Sequence, residues 1–354
     1  MIYHILPAHT YHITPQVITS IIKKTPNNHF FIILGSSGSN INWTIYDDLF
    51  NELNYTQKAF FNTSESFFKN NLIKKSAFVV IHSDSYNWKI FFHRNNFENV
   101  HWICWGSGVD LRINLKSLIS YSFKILLYSR LKSIITLSIK DKEKLQKKFF
   151  VKNVHNIPYF ESVNDIFNFT EENLRLEYRD NVSVFIGNNS SAISTYLPLL
   201  HTLKIFREGI LITAMLNYDL VKNDTYFNLL KAGSNIYGSN FNTDEKLYPL
   251  KDFPSYIDKC DIYICSVEEQ TGLGAIYAAL KLGKKIFLNG NNFDYITSLG
   301  CKVYHVNELQ SLDIDSFKAP LKLEEQSNNF KIIMNVLSDD KLIEKWNSFY
   351  KQYD

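Results

Sequence analysis

Short apolar runs alternate with amphipathic stretches along most of the chain. In the first half the runs fall at residues 2–6, 29–34, 77–81, 100–105 and 134–137. Each has the length of a strand buried on both faces of a parallel sheet. Pro7 closes the first run, Gly35 follows the second, His82 ends the third, and a Gly-Ser-Gly turn leading to Asp110 follows the fourth. Helical spacing occupies 15–24, opened by Pro15, then 64–75 and a stretch around 88–92. Residues 154–160 contain Pro158 and run into a polar, acidic stretch at 161–180. A second series follows. Strands are predicted at 182–186, 209–214, 236–238, 261–267, 286–288 and 302–305, with helices at 253–259, from Ala275 to Leu282, and at 328–353. Strands alternating with helices predict doubly wound parallel sheets. The break at 161–180 divides them into an N-terminal domain (1–160), a linker (161–180), a C-terminal domain (181–330) and C-terminal helices (331–354).

The stretch from Cys260 to Asn289 organises the second domain. It reads as strand, loop, helix, strand, with Gly283 placed as a helix C-cap glycine. Its polar loop, Glu268 to Gly274, lies at the carboxyl end of a strand and the amino end of a helix. Open α/β sheets bind ligands there, where unpaired N–H groups and the helix dipole attract phosphate. Gly272 and Gly274 remove the Cβ atoms that would keep a ligand off the backbone. An ordinary βα turn would look the same. Tyr277 stands where a dinucleotide fingerprint needs its third glycine, so hydride transfer is poorly supported.

Composition narrows the class. The chain has 354 residues, enough for two cores, and is 45% hydrophobic and 21% charged, hence globular. A formal net charge of +3 implies no polyelectrolyte role toward nucleic acid. Four cysteines without a Cys-x-x-Cys suggest reduced thiols rather than disulfides or zinc. No signal-peptide pattern opens the chain and no run reaches a spanning length. The expected location is cytoplasmic, or peripheral on a membrane face. Residues 116–152 hold ten Lys/Arg against Asp141 and Glu143. Aromatic and leucine residues interleave with Lys116, Lys124, Arg130 and Lys132. Such a segment suits an anionic membrane surface, and equally a solvated helix with its apolar side in the core.

Two such domains facing one another describe the GT-B architecture. Several pieces in order resemble one family more closely: His4-Ile-Leu with His12, residues 30–35, His82, Trp102-Ile-Cys-Trp-Gly106 with Asp110-Leu111, Pro158, Gly187-Asn188, Met215 with Tyr218, Gln270-x-Gly272-x-Gly274, and Asn289 with Phe293. Together they resemble the bacterial 4-acetamido-4,6-dideoxygalactosyltransferases, glycosyltransferase family 56. Ser107 and Gly108 are extra residues relative to that pattern. The resemblance implies transfer of a deoxyamino sugar from a dTDP-linked donor to a lipid-linked oligosaccharide on the inner membrane face, in bacterial surface-polysaccharide synthesis.

The residues then take roles. Gly187, Asn188, Asn189, Ser190, Met215, Tyr218 and Gln270 to Gly274 (Gln270, Thr271, Gly272, Leu273, Gly274) are the candidate donor-binding set. Amides and backbone N–H groups would stabilise a diphosphate leaving group without metal or other cofactor. Asp313-Ile-Asp315 is the one Asp-x-Asp. It lies too near the C-terminus for a metal-dependent transferase and reads as a surface cap. Paired glutamates of retaining enzymes have no counterpart, because Gln270 and Ala278 hold those positions, so stereochemistry stays open. A base for an inverting reaction is expected among Asp110, His82 and His12, with Asp110 first. A zinc pair at His9-x-x-His12 would need further ligands. The rival classes are a nucleotide-sugar epimerase of the same fold and a non-catalytic nucleotide-binding partner.

Overall fold

The computed structural model describes the chain except residues 12, 36–40, 71, 84–97, 106–114, 161–168, 188–192, 217–221, 247, 249–251 and 354, and the side chains of 115–120 and 173. Two compact units result: Met1–Phe160 with Leu337–Asp354, and Glu161–Val336.

The first unit is built on seven strands: β1 Ile2–Pro7, β2 His29–Leu34, β3 Lys58–Phe61, β4 Phe78–His82, β5 Asn99–Cys104, β6 Ser133–Thr136 and β7 Val154–Asn156. Every pairing is parallel, in the order β3-β2-β1-β4-β5-β6-β7. The strand order reverses between β1 and β4. Residues Val79 to Ile81 and Ile32 to Ile33 are fully buried, which explains why these strands read as continuous apolar runs. The sequence pattern missed β3 and the helix Thr44–Glu52 before it. β3 is a four-residue edge strand, opening on Lys58, with only Phe61 buried. An edge strand needs no unbroken apolar run. The helix expected over 64–75 stops at Ser64–Lys69, capped by Asn70. The predicted helix around 88–92 lies outside the described residues.

The second unit has six parallel strands: β8 Val182–Ile186, β9 Ile210–Met215, β10 Phe241–Asp244, β11 Ile262–Cys265, β12 Lys285–Leu288 and β13 Tyr304–His305. Their order is β10-β9-β8-β11-β12-β13. Here the reversal falls between β8 and β11. Where a strand was expected at 236–238, Ile236 and Tyr237 close the helix Asp224–Tyr237 and Gly238 opens the 3₁₀ turn Gly238–Asn240. Asn223 caps that helix by accepting the Tyr226 N–H at 3.1 Å, and Tyr226, Leu229, Gly233 and Tyr237 form its buried stripe. Ile236-Tyr237 belongs to that helical period, not to a strand. The helix Leu273–Lys281 ends as its glycine suggested. Gly283 takes φ +69, its N–H reaches Leu280 O at 3.2 Å, and the Lys284 N–H reaches Ala279 O at 2.9 Å. That pair of bonds is the Schellman closure. Asp313 caps the short helix Ile314–Lys318 by accepting the Ser316 N–H at 2.7 Å, a surface role as expected.

The terminal helices divide between the units. Leu323–Val336 packs in the second. Asp339–Tyr353 returns to the first, where Leu342, Trp346, Phe349 and Tyr350 bury against Ile2, Phe78, Val80, Ile103 and Ile135.

Candidate functional site

In the second unit, the carboxyl ends of β8, β9, β11 and β12 share one edge, fixed by the register Ala214–Ile186–Ile264 and Cys265–Leu288. The loops after β8 and β11 flank the point where strand order reverses, the place where open α/β sheets bind ligands. After β11, Gly272 sits at φ +67 as the N-cap of the helix Leu273–Lys281 and offers no capping side chain. The first intrahelical bond runs from the Ile276 N–H to Gly272 O at 3.0 Å. The N–H groups of Leu273, Gly274 and Ala275 precede it and have no helical partner. A Cβ built on Gly274 would meet no atom within 4 Å, and Gly274 is exposed. Beside it Gln270 is buried, with an Oε1 that has no partner among the described residues. The edge therefore carries N–H groups without helical partners, open space beside Gly274 and an orphan amide oxygen.

Neighbouring amides hold this loop in shape. Asn292 Nδ2 donates to Thr271 O at 2.9 Å. Asn289 Nδ2 donates to Ser266 O at 3.2 Å and to Glu268 Oε1 at 2.8 Å. The Asn291 N–H donates to Glu268 O at 2.9 Å, and the Thr195 and Ser266 hydroxyls meet at 2.9 Å. At Gly290, φ +49, any Cβ would overlap the Glu268 backbone. A rigid loop presents its N–H groups without reorganisation, which is what charge stabilisation requires. Asn291 and Asn292 had not been singled out from sequence. Buried amides leave no periodic signal; the Asn292 side chain and the Asn291 backbone N–H find their partners at Thr271 and Glu268.

The other expected contacts divide. Gly187 takes φ +73 at the end of β8 and donates its N–H to Ile264 O at 2.8 Å, while a Cβ there would overlap the Tyr196 ring. Its glycine is thus required by packing as well as by the turn. Met215 ends β9 with its side chain in the core, 1% exposed, so it offers a ligand no side-chain surface. Asn188, Asn189, Ser190 and Tyr218 lie outside the described residues.

In the first unit, strand order reverses between β1 and β4, and His82 ends β4. It is buried, and both ring nitrogens are engaged: Nδ1 with the Tyr159 hydroxyl at 2.6 Å and Nε2 with His4 Nδ1 at 3.0 Å. Burial holds its pKa down at about 3. As folded, His82 therefore has no ring nitrogen free for a substrate hydroxyl. Asp110 and His12 lie outside the described residues. His9 is exposed, and no metal-binding cluster of His, Cys, Asp or Glu occurs among the described residues.

On the helix Leu115–Tyr128, Leu127 and Tyr128 are buried while Phe123 and Leu126 point outward, 42% and 51% exposed. Arg130 and Lys132 are exposed, Lys124 is half-buried, and the Lys116 side chain lies outside the described residues. No described helix is long and apolar enough to cross a membrane.

No protein-family model matches the sequence, and no curated protein matches it. Solved structures do match. Anabaena HepE, crystallised with UDP and glucose, aligns over 99% of this chain and 100% of its own, with a TM-score of 0.68 and 11% identity. OtsA in its apo form aligns over 100% and 99% of the two chains, with a TM-score of 0.68 and 10% identity. A UDP-forming α,α-trehalose-phosphate synthase from Burkholderia xenovorans, with glucose-6-phosphate, aligns over 100% of both chains at 0.64 and 8%. TarM matches 80% of this chain at 0.56 and 11% identity, and the chain spans 56% of TarM. The fold is GT-B. At these identities the likeness establishes architecture, and the resemblance to glycosyltransferase family 56 rests on the sequence pieces alone.

Proposed function

We propose that this protein is a glycosyltransferase that moves a deoxyamino sugar, 4-acetamido-4,6-dideoxygalactose by the sequence resemblance, from a dTDP donor to a lipid-linked saccharide. One observation carries the reading. The turn at Gly272, with open space beside Gly274 and no helical partner for the N–H groups of Leu273, Gly274 and Ala275, lies beside the strand-order reversal of a GT-B second unit. The diphosphate sits on those N–H groups, and the partial positive charge of the helix stabilises the leaving nucleotide. Gln270 Oε1 accepts from a sugar or ribose hydroxyl, which satisfies its buried oxygen. These parts stabilise the leaving group without a metal. Asp110, after β5 in the first unit, takes the proton of the acceptor hydroxyl. The basic stretch 116–132, with Phe123 and Leu126 outward, docks the first unit on the inner membrane face, where the acceptor's lipid stays.

Calorimetric titration with dTDP and UDP tests the donor site. In Gly274→Val a branched side chain fills the space that the diphosphate needs, and the expected result is at least a tenfold loss of affinity with an unchanged melting temperature. Parent-like affinity in the folded variant would place the nucleotide elsewhere.

A further inference from the structure

Six hydrogen bonds form one continuous line through the first unit. Trp105 Nε1–H donates to the Tyr159 oxygen at 2.9 Å. The Tyr159 hydroxyl meets His82 Nδ1 at 2.6 Å, His82 Nε2 meets His4 Nδ1 at 3.0 Å, and His4 Nε2 meets His29 Nδ1 at 2.9 Å. His29 Nε2 meets Thr25 Oγ1 at 2.6 Å, and the Thr25 hydroxyl donates to Ile21 O at 2.7 Å. His4, His29 and His82 are 0%, 1% and 0% exposed. Trp105 and Tyr159 are half-buried, so the line reaches toward solvent at that end.

The two ends fix the direction of every proton. The Thr25 hydrogen is committed to Ile21 O, so Thr25 Oγ1 must accept from His29 Nε2–H. A neutral His29 then accepts at Nδ1 from His4 Nε2–H. His4 accepts at Nδ1 from His82 Nε2–H, and His82 accepts at Nδ1 from the Tyr159 hydroxyl. Indole nitrogen only donates, which agrees with a Tyr159 oxygen left to accept. The opposite polarity would set the Thr25 and Ile21 oxygens 2.7 Å apart with no hydrogen between them. It would also turn the Tyr159 hydroxyl hydrogen out of the line. All three histidines are therefore neutral Nε2–H tautomers.

We propose that this line is a proton-sensing switch: one proton from solvent, taken by any of the three rings, reverses the His82–Tyr159 hydrogen bond, so that His82 Nδ1–H donates to the Tyr159 oxygen and the Tyr159 hydroxyl hydrogen turns out of the line beside Trp105, at the carboxyl edge of the first sheet. The bookkeeping is the same in each case. A charged ring donates from both nitrogens. If His82 takes the proton, its Nδ1–H points at the Tyr159 oxygen. If His4 takes it, its new Nδ1–H requires His82 to switch to the Nδ1–H tautomer. If His29 takes it, both His4 and His82 switch. Only N–H bonds form and break within the line, and the tyrosine oxygen ends with two donors facing it. Its own O–H bond stays intact and rotates, so that the hydrogen turns away from His82.

The surroundings set the range. Burial is the main cause that lowers all three, with mutual repulsion added at His4 and the Met1 amino group at His29. Among the described residues, the other titratable groups near the line are Tyr350, edge-on to His29 at 5.7 Å, Tyr55, whose hydroxyl donates to His29 O at 2.5 Å, and Cys104 near Tyr159. None of these is a carboxylate, so none offsets an added charge. The switch turns under acid conditions.

Ring-nitrogen NMR on the ¹⁵N-labelled full chain tests this directly. At neutral pH three histidines assigned by His4→Gln, His29→Gln and His82→Gln should show protonated Nε2 and bare Nδ1. On acidification the first ring to charge and the Trp105 indole signal should move at one shared midpoint, before global unfolding seen by circular dichroism. Thr25→Val removes the far acceptor, and the expected result is mixed tautomers at His4 and His82 with a shifted Trp105 signal, restored by Thr25→Ser. Unchanged His4 and His82 tautomers in a folded Thr25→Val protein would overturn the proposal. So would a Trp105 signal that ignores the histidine titration, or unfolding that precedes it.

Discussion

At the scale of single residues, glycine and amide positions decide what the second-unit edge can bind. Gly272 supplies a left-handed N-cap, Gly274 leaves the backbone bare, and the side chains of Asn289 and Asn292, with the Asn291 backbone N–H, brace the loop. The two glycines were legible because they follow an apolar run and precede a helical one. The braces were not, since an asparagine's partner depends on folding. The same holds for histidine. His82 was recognisable at a strand end, but its line through His4 and His29 joins residues 78 and 25 apart in sequence. Two engaged nitrogens leave Asp110 as the candidate base with the stronger case. The Asp110→Asn variant keeps the side-chain shape and removes its basicity. Steady-state kinetics should show a loss of roughly 10²-fold or more in kcat with donor affinity unchanged. Near-parental turnover would exclude Asp110 as the base.

Among elements, the returning helix Asp339–Tyr353 has the largest structural consequence. It lays Phe349, Tyr350 and Tyr353 over His29, His101 and His155, with ring centroids 4.6 to 5.8 Å apart, and Trp346 Nε1–H donates to Pro158 O at 3.2 Å. Its apolar period was visible in sequence. Its destination was not, because an amphipathic stripe does not name the face it will cover. That face is lined by neutral histidines. Burial lowers His4 well below its ordinary value, His29 to about 4, and His82 and His101 to about 3. Below about pH 6.5 the unfolded chain charges these rings while the folded chain does not, so the unfolded state binds more protons. Stability should thus hold above about pH 6.5 and fall by about 1.4 kcal/mol per pH unit for each such ring until the folded values near 4 and 3 are reached. Urea midpoints from pH 7.5 to 4.5 would measure the slope, and a flat profile would show that the rings are charged or exposed. On the helix Leu115–Tyr128, outward Phe123 and Leu126 accompany cations. Neutralising Lys124, Arg130 and Lys132 together should weaken binding to anionic vesicles, more at low salt than at high. Vesicle binding equal to the parent's would make the segment a solvated face.

For the whole molecule, two parallel α/β units were readable from alternating runs, and the strand-order reversals follow from parallel connections. The return of the last helix to the first unit depends on tertiary contact and left no local mark. GT-B architecture fits a nucleotide-sugar enzyme, yet a fold hosts more than one chemistry. The account therefore rests on transfer itself. The most direct measurement incubates the purified chain with a panel of dTDP- and UDP-sugars, with and without a lipid-linked saccharide, in EDTA. The account predicts release of nucleoside diphosphate and a lengthened lipid-linked product only when both substrates are present, at a rate that added Mg²⁺ or Mn²⁺ does not change. Conversion of the donor sugar without acceptor, nucleotide binding with no turnover of any donor, or activity that returns only with metal would contradict it.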